Sequence, residues 1–73
     1  MVKVTFGDVV RKIGKTSEDK KYSVIFQLHS AFYTLDPKDA ASLEALTFSA
    51  RDGSEVVVTH DGETNEIIEA QLP

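Results

Sequence analysis

The two histidines of the chain, His29 and His60, are the side chains best suited to proton transfer near neutral pH or to binding a transition metal. Neither belongs to an HxH, HxxxH or HExxH pattern, the spacings that bring histidines to one metal ion or place a general base beside it. His60 is followed by Asp61, a composition typical of a turn. We therefore expect each histidine to have a structural or surface role.

Three glutamates, Glu63, Glu66 and Glu69, recur at three-residue intervals near the end of the chain. Hydrolysis by paired carboxylates requires two acids that converge at a fixed separation. On the strand that we predict for this segment, Glu66 and Glu69 point to opposite sides of the sheet. We expect these side chains to be solvated, where charges at a strand edge also discourage unwanted pairing.

The composition argues against several other chemistries. The absence of cysteine excludes thiolate catalysis and cysteine-ligated zinc or iron–sulfur sites. The four glycines are isolated from one another, so the chain has no glycine-rich loop of the kind that binds phosphate. The segment DGETNE lacks the ligand spacing of a calcium loop. We predict no catalytic residue, no metal site and no cofactor, and we expect that the protein is not an enzyme.

Residues suited to binding are easier to find. Single-stranded nucleic acid binds in basic grooves that carry exposed aromatic rings. Tyr22 and Tyr33 lie on two successive predicted strands, and Arg11 and Lys12 are nearby in sequence. Phe48 lies off the main apolar stripe of the predicted helix, where it is a candidate for contact with another subunit. These five residues are the candidate binding residues.

Aromatic rings are also needed to fill the core of so small a domain, and the chain has only four phenylalanines and two tyrosines. Phe32, on the same predicted strand as Tyr33, and Lys15, near Arg11 and Lys12 in sequence, are further candidates for nucleic-acid contact. As a group, however, we expect Phe6, Phe26 and Phe32 to pack in the core.

Charge is unevenly distributed along the chain, whose net charge is −4. Residues 1–21 hold six cations and three acids, whereas residues 22–73 hold two cations and nine acids. Two patches of opposite sign would suit a protein partner or a neighbouring copy. Because phosphate contacts dominate affinity for nucleic acid, the acidic balance disfavours that ligand. We therefore rank protein association, including self-association into a homo-oligomer, ahead of single-stranded nucleic acid.

Alternation of apolar and polar residues predicts five strands. The first is a long strand over residues 2–13 that bends at Gly7, and the polar residues 14–21 after it predict a loop. The second covers residues 22–28, with Leu28 on the face of Phe26, and the third covers residues 31–35. The last two cover residues 55–60 and 66–72. In the final strand one face is expected to hold Ile68, Ala70 and Leu72.

A single helix is predicted over residues 37–51, between the third and fourth strands. Asp36 is suited to cap its N-terminus, with Pro37 at the first helical position and Asp39 in the first turn. Gly53 supplies a C-terminal stop. The expected apolar stripe consists of Ala40, Leu43, Leu46, Thr47 and Ala50.

The order β-β-β-α-β-β, with a long first strand bent at a glycine and the segment DPKDAASLEALTFSARDG between strands, resembles the OB-fold. The resemblance implies a mainly β fold with one helix, a five-stranded OB-like Greek-key barrel that covers residues 1–73 as a single domain. An SH3-like barrel and a two-layer α+β sheet are the alternatives. No apolar run is long enough to span a membrane or to act as a signal peptide, so we expect a cytoplasmic protein that does not bind membranes.

Overall fold

The computed structural model describes residues 2–15 and 21–73, which form one curled β-sheet and one α-helix. The elements are β1 (Lys3–Asp8), β2 (Val10–Lys15), β3 (Tyr22–Phe26), β4 (Phe32–Leu35), α1 (Ala40–Asp52), β5 (Val56–Asp61) and β6 (Glu66–Gln71). The prediction of a mainly β chain with one helix before the last two strands is confirmed. The sheet has six strands rather than five, and most of the predicted loop at residues 14–21 lies outside the described residues.

The sheet curls into a half-barrel because of where its first two strands lie. The strand order is β1-β5-β6-β4-β3-β2, so β1 and β2 occupy opposite edges. Only Val9 separates these two strands in the chain, and a flat sheet could not bring its edges that close. The predicted single strand over residues 2–13 is interrupted at Val9, and Gly7 pairs with Val57 in the regular register of β1.

All neighbouring strands pair antiparallel except β4 and β6, which are parallel over two residue pairs. The strands and the helix enclose one hydrophobic core. Its buried residues are Val10, Val24, Phe26, Tyr33, Leu35, Ala45, Leu46, Val56, Val58, Ile67 and Ala70. In the described part of the chain, no helix has the length and apolar content that crossing a bilayer requires.

A β-bulge changes which residues of β6 face the core. Thr59 pairs with Glu69, but the next residue, His60, pairs with Ile67, so Ile68 is an extra residue on β6. The bulge shifts the alternation by one position, which buries Ile67 and leaves Ile68 39% exposed. The prediction that Ile68 shares a face with Ala70 is therefore wrong, and Leu72, which lies beyond the end of β6, is 41% exposed.

Helix α1 begins three residues later than predicted. Asp36 and Pro37 form a turn, in which the Asp39 N–H donates to the Asp36 carbonyl at 3.0 Å. Asp39 is the N-cap, and its Oδ1 accepts the Ser42 N–H at 3.2 Å. The helix ends at Gly53 as predicted, because Gly53 has φ 77° and donates its N–H to the Ser49 carbonyl.

The buried stripe of α1 contains two serines, which differs from the predicted apolar stripe. It consists of Ser42, Ala45, Leu46 and Ser49. Ser49 Oγ accepts the Val10 N–H at 3.0 Å and donates to the Ser54 carbonyl at 2.6 Å. Ser42 Oγ accepts the Ala70 N–H at 3.0 Å. The helix therefore faces the sheet with hydroxyl groups that satisfy strand N–H groups, and a purely apolar stripe would leave those groups unpaired.

The substitution Ser49→Ala removes the acceptor of the buried Val10 N–H. A buried backbone donor without a partner costs about 1–3 kcal/mol, so we expect the free energy of unfolding to fall by that amount. Urea denaturation measures it. Thr47→Ala, a hydroxyl residue of α1 outside the buried stripe, is the control for the gain in helix propensity. Equal stabilities of the two variants would contradict the role assigned to Ser49.

Candidate functional site

The outer surface of β2, β3 and β4 combines cations with exposed apolar side chains. Val24 and Tyr33 point into the core, so their neighbours Ile25 and Phe32 point outward. Lys12 pairs with Ile25, and Ile25 pairs with Phe32, which places these three residues in one row across the strands. We call this surface the basic face. Its members are Arg11, Lys12, Ile25 and Phe32, and Lys15, which pairs with the half-buried Tyr22 at the end of β2, lies at its edge.

A second β-bulge places two adjacent cations on the basic face. Val10 pairs with Phe26 and Lys12 pairs with Ile25, so Arg11 is an extra residue on β2. Arg11 and Lys12 are both exposed, although consecutive residues of a regular strand would alternate between the two faces. A shallow depression of ≈ 230 Å³ lies beside them. Its lining residues are Lys12, Gly14, Lys15, Ser23 and Ile25.

The side chains of Phe32 and Leu28 are the most exposed large apolar groups on the described surface. Phe32 is 70% exposed and Leu28 is 84% exposed. The predictions that Phe32 packs in the core and that Leu28 shares the buried face of Phe26 are wrong, since β3 ends at Phe26 and Tyr33 takes the inward position on β4. An exposed phenylalanine on the same face of a sheet as cations is an arrangement that can stack on a nucleobase.

The charge of the three strands is entirely positive. The sequences of β2, β3 and β4 are VRKIGK, YSVIF and FYTL, which contain three cations and no acid. The nearest acid by register is Glu66, which pairs with Thr34 across the parallel ladder and forms an ion pair with Lys21 at 2.9 Å. The local charge therefore differs in sign from the net charge of −4 for the whole chain.

A buried carboxylate fixes the turn that leads from β3 toward Phe32. Asp8, only 3% exposed, accepts the Leu28 N–H at 2.9 Å and the His29 Nδ1 proton at 2.6 Å on Oδ2. Its Oδ1 accepts the Val9 N–H at 2.6 Å. The Gln27 N–H adds a bond of 3.0 Å to the Val9 carbonyl. The three bonds from Gln27, Leu28 and His29 hold residues 27–29 against the corner between β1 and β2, and the Val9 bond orders the corner itself.

Burial of the Asp8 carboxyl acts to raise its pKa, because a charge loses hydration there. The hydrogen bonds from His29, Val9 and Leu28 stabilise the ionised form and outweigh that cost. The pKa of Asp8 therefore lies below its ordinary value of 3.8. As an ionised acceptor, Asp8 requires a proton on His29 Nδ1, which makes Nδ1 the donor of this bond.

Both histidines belong to a ring cluster around Phe6. The ring of His29 stacks on that of Phe6 with centroids 3.9 Å apart, and His60 meets Phe6 edge-on at 5.5 Å. His60 is 5% exposed and its Nδ1 lies 3.0 Å from the Asp61 carbonyl oxygen. Within residues 2–15 and 21–73, no group of three His, Cys, Asp or Glu side chains could hold a metal ion. The contacts of both rings are those of packing and anchoring.

The five candidate binding residues are separated by the fold. Arg11 and Lys12 lie on the basic face. Tyr33 is 5% exposed and packs edge-on against His60 at 4.8 Å, and burial, together with the charge of Asp8, raises its pKa above the ordinary value of 10.0. Tyr22 is half-buried against the core. Phe48 is 47% exposed in a groove between α1 and β6 that shares no residue with the basic face.

Sequence reasoning missed two residues of this region, Asp8 and Leu28. An acid inside the apolar segment FGDVV is a signal for a buried carboxylate with dedicated hydrogen-bond donors. Leu28 carries no comparable signal, because the alternation continues through it and only the early end of β3 exposes it.

The substitution Asp8→Asn tests the corner through its pH dependence. The pKa of Asp8 is lower in the folded chain than its ordinary value of 3.8, which applies to the unfolded chain. The ionised carboxylate therefore stabilises the fold at pH values above 3.8, and this stabilisation is lost as the pH falls through the pKa of the folded state. We expect Asp8→Asn to cost about 1–3 kcal/mol at neutral pH, because an amide cannot accept all three bonds. The difference in unfolding free energy from the wild type should narrow below pH 3.8.

Urea denaturation at a series of pH values measures this difference. Asp36→Asn, which removes an exposed carboxylate outside the corner, is the control for the loss of one negative charge. Stability curves of the wild type and Asp8→Asn that stay parallel between about pH 5 and pH 2 would contradict the role assigned to Asp8.

In comparisons with protein-family models, with curated proteins and with solved structures, no match to this chain was found.

Proposed function

We propose that the chain is a non-enzymatic binding module built on an OB-type barrel, and that its basic face binds single-stranded nucleic acid. The observation that carries the proposal is the 70% exposed ring of Phe32, in a row with Ile25 and Lys12 across three strands whose sequences contain no acid. Base stacking on an exposed ring and phosphate contacts by adjacent cations are the two interactions that such binding requires.

Strand order supports the OB-type assignment. β1 and β2 can be taken as the two halves of one coiled strand, because a single residue separates them. The remaining order then places this first strand between β5 and β3, with β4 and β6 parallel and the helix between β4 and β5. This order is compatible with a five-stranded Greek-key barrel of the OB type, in which oligonucleotides bind to the face of the second and third strands. Here those strands are β3 and β4.

The net negative charge of the chain disfavours binding of nucleic acid, but the positive and negative side chains lie on different parts of the molecule. The cations Arg11, Lys12 and Lys15 lie on β2, whereas the acids belong mainly to α1, β5, β6 and the loops beside them. The molecule measures 27 × 26 × 22 Å, and the Debye length at 0.1 M ionic strength is about 10 Å. At physiological salt, a phosphate at the basic face therefore responds mainly to the local cations.

We propose a non-enzymatic role because the side chains suited to proton transfer already make hydrogen bonds or pack in the fold. Asp8 holds three hydrogen bonds at the corner, and His60 is buried among aromatic rings. His29 Nδ1 is bound to Asp8, and its ring stacks on Phe6. In this proposal His29 positions the turn that precedes β4.

Self-association is the second candidate function. The observation that favours it is the exposure of Phe48 together with Ile68 and Leu72 along the groove between α1 and β6. A continuous apolar surface of this kind is typical of a protein contact.

Binding of a fluorescein-labelled oligothymidylate, followed by fluorescence anisotropy, tests the nucleic-acid proposal. We expect the affinity to fall steeply as salt concentration increases. In a plot of the logarithm of the binding constant against the logarithm of salt concentration, the magnitude of the slope should decrease by about 0.7 for each phosphate contact removed by Arg11→Ala or Lys12→Ala. Phe32→Ala should weaken binding by about 1–3 kcal/mol, the value of one stacked base, which corresponds to roughly 5- to 150-fold.

Phe48→Ala is the matched control, since it removes an exposed phenylalanine from a different surface. At protein concentrations below those at which the chain self-associates, it should leave the affinity for the oligonucleotide unchanged. No binding at low ionic strength, or equal losses in Phe32→Ala and Phe48→Ala, would contradict the proposal.

A further inference from the structure

An apolar groove with a volume of ≈ 700 Å³ lies between α1 and β6. Its walls include Phe48 of α1 and Ile68 of β6, which are 47% and 39% exposed, and Leu72, which is 41% exposed. Small residues such as Ala41 and Ala45 line the helix side, so the groove is open to a side chain from outside. Pockets of about 300–1,000 Å³ accept groups the size of several side chains.

The rim of this groove is acidic. Asp39, Glu44 and Glu69 are among its lining residues, and the lining contains no lysine or arginine. An occupant therefore needs apolar groups to fill the groove and cations to meet its rim.

We propose that the occupant is the basic face of a second copy of this chain. That face supplies both parts of the complement: the 70% exposed Phe32 for the groove, and Arg11 and Lys12 for the rim. The 84% exposed Leu28 lies on the turn before β4 and adds a second apolar side chain. This inference deepens the self-association candidate by naming its two surfaces, and it does not depend on nucleic-acid binding.

The two surfaces have no residue in common, so the contact is heterologous: the basic face of one copy binds the groove of the next. A heterologous contact leaves one basic face and one groove free in every dimer, and assembly continues to a closed ring or an open chain. Because both surfaces are charged, the assembly should weaken as salt increases.

Two variants separate the two surfaces. The groove variant Glu44→Lys/Glu69→Lys makes the rim basic and leaves the basic face intact. The face variant Lys12→Ser/Phe32→Ser removes a cation and the exposed ring and leaves the groove intact. All four residues are exposed, so we expect both variants to fold, and thermal unfolding checks this.

Sedimentation velocity measures the outcome. The wild type should show a mass that rises above the monomer with concentration and falls with salt, and each variant alone should remain a monomer. An equimolar mixture of the two variants should form a dimer and nothing larger, because only one intact face and one intact groove are present in each pair.

A wild type that stays monomeric at high concentration would overturn the proposal. So would oligomers that persist in both variants, or a mixture that sediments as two monomers. Since the sedimentation assay contains no oligonucleotide, its failure is distinguishable from failure of the nucleic-acid proposal.

When the basic face of one copy binds the groove of the next, its Phe32 is covered. Self-association and nucleic-acid binding by the same basic face therefore exclude each other. Where the oligothymidylate binds, its addition to the wild type should lower the sedimenting mass toward that of a monomer with bound oligonucleotide. Oligomers of unchanged mass that carry bound oligonucleotide would overturn the assignment of the basic face to the contact.

Discussion

The structure depends on the single residue, Val9, that joins the two edges of the sheet. β1 and β2 lie at opposite ends of the strand order, and one residue can connect them only if the sheet curls until its edges meet. Three backbone groups are left to be satisfied at that corner. The Asp8 carboxylate accepts the Val9 N–H, the Val9 carbonyl accepts the Gln27 N–H, and Ser49 of α1 accepts the Val10 N–H. The corner is therefore where the sheet, the β3–β4 turn and the helix meet.

The corner also determines what the surface presents. The bulge at Arg11 follows it by two residues and exposes two adjacent cations, while the turn held by Asp8 leads to Leu28 and Phe32. The acids of α1 and β6 border a different groove. Interactions that close the half-barrel thus separate a basic, aromatic surface from an acidic, apolar one, and this separation is the basis of both proposals.

Sequence patterns predicted the helix and those strands and turns that are determined by residues close together in the chain. The strict alternation of β3 and β5 and the stop at Gly53 are found as expected, and the helix is found in its predicted place. Interactions between distant segments decided the rest. Ser42 and Ser49 occupy a buried stripe only because strand N–H groups need acceptors there, and a bulge at Ile68 inverts the faces of β6. Phe32 is exposed because Tyr33 fills the inward position, a choice between neighbouring aromatic residues that no periodicity resolves.

The central claim is that the basic face is the surface that binds single-stranded nucleic acid. The most direct measurement is an NMR titration of the ¹⁵N-labelled groove variant Glu44→Lys/Glu69→Lys with oligothymidylate. This variant is used because its altered groove cannot bind the basic face of another copy, so self-association does not compete with the oligonucleotide. The account predicts saturable shift changes in the backbone amides of residues 11–15, 23–25 and 32–34, with little change in residues 41–48 and 68–72. Shift changes confined to the groove between α1 and β6, or no saturable change at low salt, would contradict it.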